Sequence, residues 1–373
     1  MTIAPQILLY GIGGTYNYGC EAIVRGTELL IRQVWQDAEI LYASVRPDDD
    51  RRRLKGCGVG IIGRSMIPKY SMKNLVRKTL SCIASPWLPL REDDRILDGC
   101  DIVLSIGGDL YTCDPRGRYS RNLVQFGEHI MRSGKKLVIW GASIGPFEKN
   151  PRAKRTMAWH LNRADLIIVR EPVTREYMAS LGIERNVVLG ADPAFALESE
   201  EGLQNTEQRD LCIGINLSPI SASYLAGGRQ PVGLARRHSK AIARIVDEID
   251  CRVKLLPHVF SDVHKIDDDL SYLREVFSNI PERVKDRVDL ISNDLGFFGL
   301  REEIRKCDLV VASRMHCAIN ALGAGIPAIF ISYSQKAIGM AEYIYGDRSW
   351  VIDIEDLCKD SLCRYVKGML GDI

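Results

Sequence analysis

Residues 309–333 read LVVASRMHCAINALGAGIPAIFISY, and this stretch decides the fold class. The apolar run at 309–312 predicts a buried strand, and the small and apolar residues that follow predict a helix that ends at a glycine and a proline before a second apolar run. Strand, helix and strand in this order are typical of a parallel sheet. Arg314 and His316 stand where the first strand passes into the helix, and both are costly to bury without partners. They either cap the helix and pair with local acids, or they bind an anionic ligand.

The same alternation extends along the rest of the chain. Strand patterns at 6–10, 39–44, 101–109, 135–147, 165–171 and 187–189 alternate with helical patterns, and the series restarts at 211–218 with further strands at 252–258 and 288–291. The polar, acidic segment 198–210 separates the two series and is the predicted linker. We therefore expect an α/β chain of two Rossmann-like domains, 1–200 and 201–373, that face each other across a cleft.

Composition narrows the functional classes. The 373 residues are 46% hydrophobic and 26% charged, with a net charge of +2, which gives no indication of nucleic-acid binding. No apolar run is long enough to predict a transmembrane helix, and the N-terminus reads as a first strand and not as a signal peptide. The eleven cysteines form no CxxC pair. We expect a cytoplasmic protein with reduced thiols and without a metal site or cofactor. The sequence does not indicate an oligomeric state.

Ligands of open parallel sheets bind beyond the carboxyl ends of the strands, and polar residues are dense at those positions here. The loop GIGGTYNYG at 11–19 follows the first strand, but it matches neither the dinucleotide fingerprint nor a Walker loop. It is either a tight strand-to-helix turn or a loop that approaches a ligand. The other strand-end segments are GGD (107–109), RE (170–171), GADPAF (190–195), NLSP (216–219), PHVFSD (257–262), RMH (314–316) and SYSQK (332–336).

Taken together, these segments resemble the polysaccharide pyruvyl transferase family. The resemblance is carried by NYGCEA (17–22), the glycines at 107–108, GASIGPF (141–147), VREPVTREYMASLG (169–182), DPAF (192–195), 307–333 and Lys336. It implies a fold similar to GT-B glycosyltransferases. It also implies transfer of pyruvate from phosphoenolpyruvate, as co-substrate, to a sugar as a cyclic ketal, with the donor on the C-terminal domain and the acceptor on the N-terminal domain.

Phosphoenolpyruvate carries a carboxylate and a phosphate, and the arginine fork suits both groups. Arg314 precedes a predicted helix whose N-terminal N–H groups favour anions. Arg170 occupies the corresponding position in the first half, and we expect it to face the donor, as we do Lys336. The alternative for Arg170 and Lys336 is an ion pair or solvent.

Formation of the ketal requires a proton donor. His316 lies two residues past Arg314, and histidine can donate a proton near neutral pH. The resemblance also places the family's catalytic histidine at this position. The alternative is a histidine that caps the helix. Among the other histidines, His258 ends a predicted strand and is expected to face the ligand, whereas His238 is expected to lie in solvent.

Acceptor hydroxyls need hydrogen-bond acceptors and a base. The strand-end carboxylates Glu21, Asp109 and Asp192 are the candidates, although each could instead cap a helix or pair with a cation. We assign catalysis to His316, Arg314, Asp109 and Glu21. Substrate binding is assigned to Arg170, Lys336, Asn17, Gly107, Gly108, Asp192, His258 and Asn320.

Segment 64–91 carries six cations, no acids and a tryptophan near its end. Its helical apolar spacing is typical of a helix on an anionic membrane surface, which would suit a lipid-linked acceptor at the inner face of the cell membrane. An ordinary helix covering the first sheet has the same pattern.

Two other functions remain open. The first is a nucleotide-sugar-dependent glycosyltransferase of GT-B type, in which Glu302 or Glu303 would bind the ribose. The second is a non-catalytic sugar-binding relative of the same fold.

Overall fold

The computed structural model describes residues 4–64, 95–114, 116–197, 210–225, 233–262, 267–333, 335–357 and 361–372. The chain divides into two compact units. The first comprises Met1–Thr15 and Ile23–Ala196, and the second comprises Tyr16–Ala22 and Leu197–Ile373. The division after Ala196 lies close to the expected boundary at 200/201, but the sequence did not predict that Tyr16–Ala22 belongs with the second unit.

The first unit contains one sheet of seven parallel strands. The strands are β1 (Gln6–Tyr10), β2 (Glu39–Ser44), β3 (Gly60–Gly63), β4 (Ile102–Ile106), β5 (Lys136–Ala142), β6 (Leu166–Val169) and β7 (Val187–Leu189). Their order across the sheet is β3-β2-β1-β4-β5-β6-β7. The chain reverses its direction of travel between β1 and β4, so the carboxyl ends of these two strands form the switch point at which such sheets bind ligands.

Helices connect these strands, and sequence signals mark several of their ends. Asn150 caps one helix by accepting hydrogen bonds from the N–H groups of Arg152 and Ala153, and Ser120 caps another through the N–H of Leu123. The helices are α1 (Tyr18–Val34), α2 (Pro47–Arg53), α3 (Arg121–Arg132), α4 (Pro151–Leu161) and α5 (Pro172–Ser180), followed by a 3₁₀ turn at Pro193–Ala196.

The second unit contains a sheet of six parallel strands. They are β8 (Cys212–Asn216), β9 (Arg252–Leu255), β10 (Val288–Leu290), β11 (Leu309–Ala312), β12 (Ala328–Ser332) and β13 (Val351–Asp353). The order is β10-β9-β8-β11-β12-β13, which repeats the topology of the first sheet and places its switch point between β8 and β11. Two parallel doubly wound sheets confirm the predicted α/β fold class.

The helices of the second unit cover a core of aliphatic residues from both faces of its sheet. They are α6 (Pro219–Leu225), α7 (Leu234–Ile249), α8 (Asp269–Ser278), α9 (Glu282–Lys285), α10 (Gly296–Ile304), α11 (Met315–Gly323), α12 (Gln335–Tyr345) and α13 (Ser361–Asp372). His238 was expected in solvent, but it lies on the inner face of α7 and is 2% exposed. Its Nδ1 is 2.9 Å from the hydroxyl of Tyr272, which gives the ring a polar partner inside the unit.

The segment Tyr16–Ala22 joins the second unit through backbone pairing. Asn17 forms an antiparallel bridge with Val259. On either side of that bridge, the N–H of Tyr18 donates to the carbonyl of His258 at 3.1 Å, and the N–H of Phe260 donates to the carbonyl of Tyr16 at 3.1 Å. Part of the loop after β1 is therefore an extra short strand beside the loop that follows β9.

The predicted membrane-surface helix at 64–91 falls almost entirely on residues 65–94, which lie outside the described residues. Of that segment only Arg64 is described, and its guanidinium lies 4.1 Å from the ring centroid of Phe126. Among the described helices, none is long and apolar enough to cross a membrane.

Candidate active site

Asn216 organises the switch point of the second sheet. It ends β8, it is fully buried, and its Oδ1 accepts hydrogen bonds from the N–H of Arg314 at 2.9 Å and from the hydroxyl of Ser313 at 3.3 Å. Its Nδ2 donates to the carbonyl of Leu256 at 2.8 Å. One amide thus ties the ends of β8, β9 and β11 together and fixes the residue from which α11 begins.

Arg314 occupies the N-cap position of α11, and two carboxylates hold its guanidinium. Its Nη2 lies 2.8 Å from Asp269 Oδ1 and 2.7 Å from Asp267 Oδ1, and its Nε donates to Asp269 Oδ1 at 3.1 Å. The side chain is 12% exposed, and Nη1 makes no hydrogen bond within the part of the chain that the structure describes. Local pairing and anion binding, the two alternatives for Arg314, therefore both have a basis. The guanidinium pairs with nearby acids and still has one donor group available.

Burial and neighbouring charges have opposite effects on the pKa values of Arg314 and Asp269. Burial disfavours a charge on Arg314, but the carboxylates of Asp269 and Asp267 outweigh it and raise the pKa of the guanidinium. Burial raises the pKa of Asp269, and the nearby Arg314 opposes that effect. Two carboxylates around one guanidinium mean that Arg314 brings no net positive charge to the site.

His316 lies in the first turn of α11, and the backbone of Gly19 packs directly against its ring. A Cβ atom at Gly19 would lie 2.5 Å from His316 Cγ and 2.6 Å from Nδ1, far inside van der Waals contact. Residue 19 is therefore a glycine because of this close approach and not because of its φ angle. The contact restricts the positions that the imidazole can take.

His258 is completely buried beside this turn. Its backbone is fixed, since its N–H donates to Asp269 Oδ2 at 3.1 Å and its carbonyl accepts from Tyr18. Neither ring nitrogen has a hydrogen-bond partner among the described residues. Burial lowers the pKa of His258 well below its usual range, and His316 and Arg314 add to that effect, so the ring is neutral at physiological pH.

Tyr18 and Glu21 hold the start of α10. The Tyr18 hydroxyl donates to Asp294 Oδ1 at 2.6 Å and accepts from the N–H of Gly296 at 2.9 Å. Glu21 is 2% exposed, and its Oε2 accepts from the N–H of Phe297 at 3.2 Å. This contact accounts for the position of Glu21 without catalysis, and its expected catalytic role stays a prediction.

In the first unit, Arg170 follows β6 and is 1% exposed. Its Nη1 pairs with Asp192 at 2.6 Å, its Nη2 with Asp109 at 3.1 Å, and its Nε donates to Ser143 at 2.9 Å while lying 3.4 Å from Glu171. All three guanidinium nitrogens face protein groups. The geometry thus favours the ion-pair alternative for Arg170 over the expected contact with the donor.

Asp109 is the exposed member of this cluster, with 61% of its side chain accessible. Asp192 is buried, and its other oxygen accepts from the N–H of Ala194, as expected of a turn residue. Gly108 lies under the guanidinium, because a Cβ there would be 2.2 Å from Arg170 Nη1, and Gly107 has a positive φ of 130°. Arg170 therefore holds Asp109 at the carboxyl edge of the sheet.

The Arg170 cluster contains more acidic than basic groups, since the side chains of Asp109, Glu171 and Asp192 surround one guanidinium. Burial disfavours a charge on Arg170, but Asp192, Asp109 and Glu171 outweigh it and raise its pKa. Burial raises the pKa of Glu171, with Arg170 acting against it. The exposed carboxylate of Asp109 can accept hydrogen bonds from hydroxyl groups of a ligand.

The remaining predicted residues lie in the second unit. The Oδ1 of Asn17 accepts a hydrogen bond from the N–H of Gly19 at 2.9 Å. Asn17 thus shapes the turn at Gly19, the residue that packs against the ring of His316. Asn320 is buried in α11, one turn after His316. Lys336 is in the first turn of α12, directly after β12, and its side chain lies outside the described atoms.

Comparisons with known proteins identify the family and the fold class of the chain. The family model described as polysaccharide pyruvyl transferase matches residues 17–335, a range that contains both clusters. The chain belongs to the polysaccharide pyruvyl transferase family. It is 24% identical to the amylovoran biosynthesis protein AmsJ of Erwinia amylovora, over 98% of this chain and 92% of that protein. Membership of the family makes the chain a pyruvyl transferase of polysaccharide biosynthesis.

Solved structures show the fold of this pyruvyl transferase to be of the GT-B class. A putative UDP-N-acetylglucosamine 2-epimerase from Listeria monocytogenes matches with a TM-score of 0.59 at 13% identity, covering 98% of this chain and 88% of that one. Anabaena HepE in complex with UDP-glucose matches with a TM-score of 0.56 at 12% identity, covering 99% and 90%. At these identities the likeness concerns the fold alone.

Sequence reasoning missed several residues that build the candidate site. Asn216 stood in the strand-end segment at 216–219, so its position was visible but its role was not. Nothing in the sequence indicated that Asp267 and Asp269 belong to the site, because acids at the start of a predicted helix usually act as caps. Within the described part of the chain, no group of three or more His, Cys, Asp or Glu residues has metal-binding geometry.

Glu302 and Glu303, the ribose candidates of the alternative function, have other partners. Glu302 pairs with Arg305 at 2.6 Å. Glu303 pairs with Lys254 at 2.7 Å and with Lys306 at 2.6 Å. Binding of a ribose by either carboxylate would require these ion pairs to break.

Proposed function

We propose that this pyruvyl transferase takes pyruvate from phosphoenolpyruvate, attaches it to a sugar of a polysaccharide or lipid-linked glycan as a cyclic ketal, and releases phosphate. One observation carries the proposal beyond family membership. His316 lies in the first turn of α11, two residues after Arg314, at the switch point of the second sheet, and its ring is held against Gly19. This placement supports the proposed role of His316 as proton donor to an anion bound at the start of α11.

The start of α11 supplies donors for the anionic groups of phosphoenolpyruvate. The first N–H groups of a helix have no partners within the helix, and the dipole favours negative charge at that end. Arg314 adds Nη1. His258 adds an uncharged ring whose two nitrogens have no hydrogen-bond partner among the described residues.

In the proposed reaction, protonated His316 gives its proton to C3 of the donor, and the methylene becomes a methyl group. Positive charge develops at C2, where a sugar hydroxyl adds and loses its proton to a base. The C2–O bond to phosphate then breaks, a second hydroxyl adds at C2, and its proton leaves with phosphate. Glu21 and Asp109 remain the sequence-predicted candidates for this base, and the side chain of Asp109 is exposed.

We propose a lipid-linked acceptor on the basis of segment 64–91, which remains a sequence-based prediction. If this segment binds an anionic surface, the protein sediments with vesicles that contain anionic lipid, and salt weakens the binding. Replacement of Lys73, Arg77 and Lys78 by glutamate is expected to abolish sedimentation. Wild-type protein that stays in the supernatant at low salt would favour the sheet-covering helix.

The donor is tested by measuring phosphate release from phosphoenolpyruvate with and without a glycan acceptor. We expect release that depends on the acceptor and an acceptor product that contains pyruvate. UDP-glucose in place of phosphoenolpyruvate is the control for the alternative glycosyltransferase. Glycosyl transfer from UDP-glucose without reaction of phosphoenolpyruvate would contradict the proposal, and binding of the glycan without any product would favour the non-catalytic relative.

A further inference from the structure

Arg301 is a buried arginine on α10 that the sequence did not single out. It is 2% exposed, and its guanidinium lies 4.7 Å from the ring centroid of Phe297. Its Nε donates to Asn320 Oδ1 at 2.8 Å, and its Nη1 donates to the carbonyl of Leu197. Both partners are uncharged.

No carboxylate of the described residues lies within ion-pair distance of Arg301, and its Nη2 has no hydrogen-bond partner among them. Arg170 and Arg314, by contrast, are each surrounded by two or more carboxylates. Burial lowers the pKa of Arg301 to about 10, Arg305 adds to the effect, and Glu302 opposes it. A buried guanidinium without a counter-charge is costly, and an anion that reaches it gains correspondingly.

Asn320 connects this arginine to the turn that carries His316. A guanidinium has no acceptor, so the amide oxygen of Asn320 must face Arg301 and its NH2 group must point away. That Nδ2 is buried and has no partner among the described residues. Asn320 follows His316 by four residues on α11, so the two side chains lie on the same face of the helix.

We propose that Arg301 and Asn320 form an anion-holding pair of the site, in which Asn320 Nδ2 donates to the carboxylate or phosphate of the donor substrate. Arg301, whose Nη2 lies beside Gly323 at the end of α11, supplies the positive charge behind that amide. The proposal rests on the proposed function. It solves a problem of charge, because Arg314 is neutralised by its two carboxylates and Arg301 is not. Both nitrogens are closed to solvent in this conformation, so we expect the side chains that cover them to move when the anion enters.

The test is Asn320→Asp, which changes one NH2 group to oxygen at nearly constant volume. The new carboxylate gives Arg301 a counter-charge and removes the donor aimed at the anion. We therefore expect a melting midpoint equal to or above that of the wild type, together with a KM for phosphoenolpyruvate raised roughly tenfold to a hundredfold. A residue with a merely structural role would not combine retained stability with lost affinity.

Asn279→Asp is the matched control, since Asn279 is exposed at the C-terminal end of α8 in the same unit. It introduces the same charge and should leave the KM unchanged. A folded Asn320→Asp protein with the wild-type KM would overturn the proposal. So would an Asn320→Asp protein that does not fold, because Arg301 is predicted to compensate the new charge.

A second measurement separates this inference from the proposed function. Inorganic phosphate and pyruvate, each added alone, are compared for their effect on the melting midpoint. We expect at least one of them to raise the midpoint of the wild type and not of Asn320→Asp, and the effective one identifies which end of the donor the pair holds. If the wild type does not release phosphate from phosphoenolpyruvate, the proposed function fails. If neither anion shifts the wild-type midpoint, the anion-holding pair fails.

Discussion

At the scale of single residues, the contact between Gly19 and His316 is the most sensitive point of the site. Gly19→Ala introduces a methyl group 2.5 Å from the imidazole ring, so the ring must move. A displacement of about 1 Å can cost about a hundredfold in rate, and we expect a loss of kcat of that order with a small change in the melting midpoint. Gly368→Ala, whose Cβ meets only Trp350 at 3.7 Å, is the control and should retain full activity. Wild-type kcat in Gly19→Ala would mean that the position of His316 does not matter.

Arg314 has a structural role besides its expected role in binding. Arg314→Ala leaves Asp267 and Asp269 without their counter-charge, and breaking a buried pair in this way typically costs about 3–5 kcal/mol. We expect the free energy of unfolding to fall by that order. Adding Asp269→Asn should recover part of the loss, because it removes the buried charge. Denaturant titrations of the single and double variants test this, and additive losses would show that the pair is not coupled.

The sequence predicted Arg314 and His316 as site residues, but it did not predict the acids that surround Arg314. Arg314 and His316 could be assigned because a strand end and a helix start are visible in the pattern. The acids that neutralise Arg314 come from the start of α8, about 45 positions away in the chain, and only the sheet topology brings them together. Arg170 was expected to face a ligand because its partners are also distant in the sequence. In the structure its guanidinium forms ion pairs with Asp109 and Asp192.

At the scale of elements, α7 makes a pH-dependent contribution to stability through His238. Burial lowers the pKa of this histidine to about 4, below its ordinary value of 6.5. Between these values the unfolded chain binds the proton and the folded chain does not, so stability falls as pH falls. From pH 7 to pH 5 we expect a loss of about 2 kcal/mol from this residue.

The measurement is the midpoint of urea unfolding of the second unit at both pH values, for the wild type and for His238→Gln. The variant should lose less stability on acidification than the wild type by about that amount. Equal losses in both proteins would mean that His238 is protonated in the folded state. His258 is buried as well and will contribute to the pH dependence that remains.

Several elements were predictable to the residue, whereas a strand and a helix of the first unit were missed. The pattern gave β1, β2 and β7 with the observed bounds, because apolar runs and flanking turn residues define them. It missed β3, which is four residues long with a glycine at each end, and α2, whose PDDDRRR sequence has no apolar face. In α2, Asp50 is nevertheless buried, since it accepts hydrogen bonds from the N–H and hydroxyl of Thr15 in the loop after β1.

At the scale of the whole molecule, alternation of strands and helices was sufficient for the fold class, because parallel sheets follow from it almost by necessity. Two sheets with the same strand order confirm that prediction. The assignment of Tyr16–Ala22 to the second unit could not be predicted, since it depends on backbone pairing with residues 258–260 and leaves no periodic signal. This backbone pairing brings Gly19 against the ring of His316.

The central claim is that the chain forms a pyruvate ketal by protonating C3 of phosphoenolpyruvate. The most direct measurement is a reaction in D2O with a glycan acceptor, followed by mass spectrometry and NMR of the product. We predict a ketal whose new methyl group carries one deuterium, together with release of one phosphate, and loss of both in His316→Ala. A product without pyruvate, a ketal whose methyl group carries no deuterium, or full turnover by His316→Ala would contradict the account.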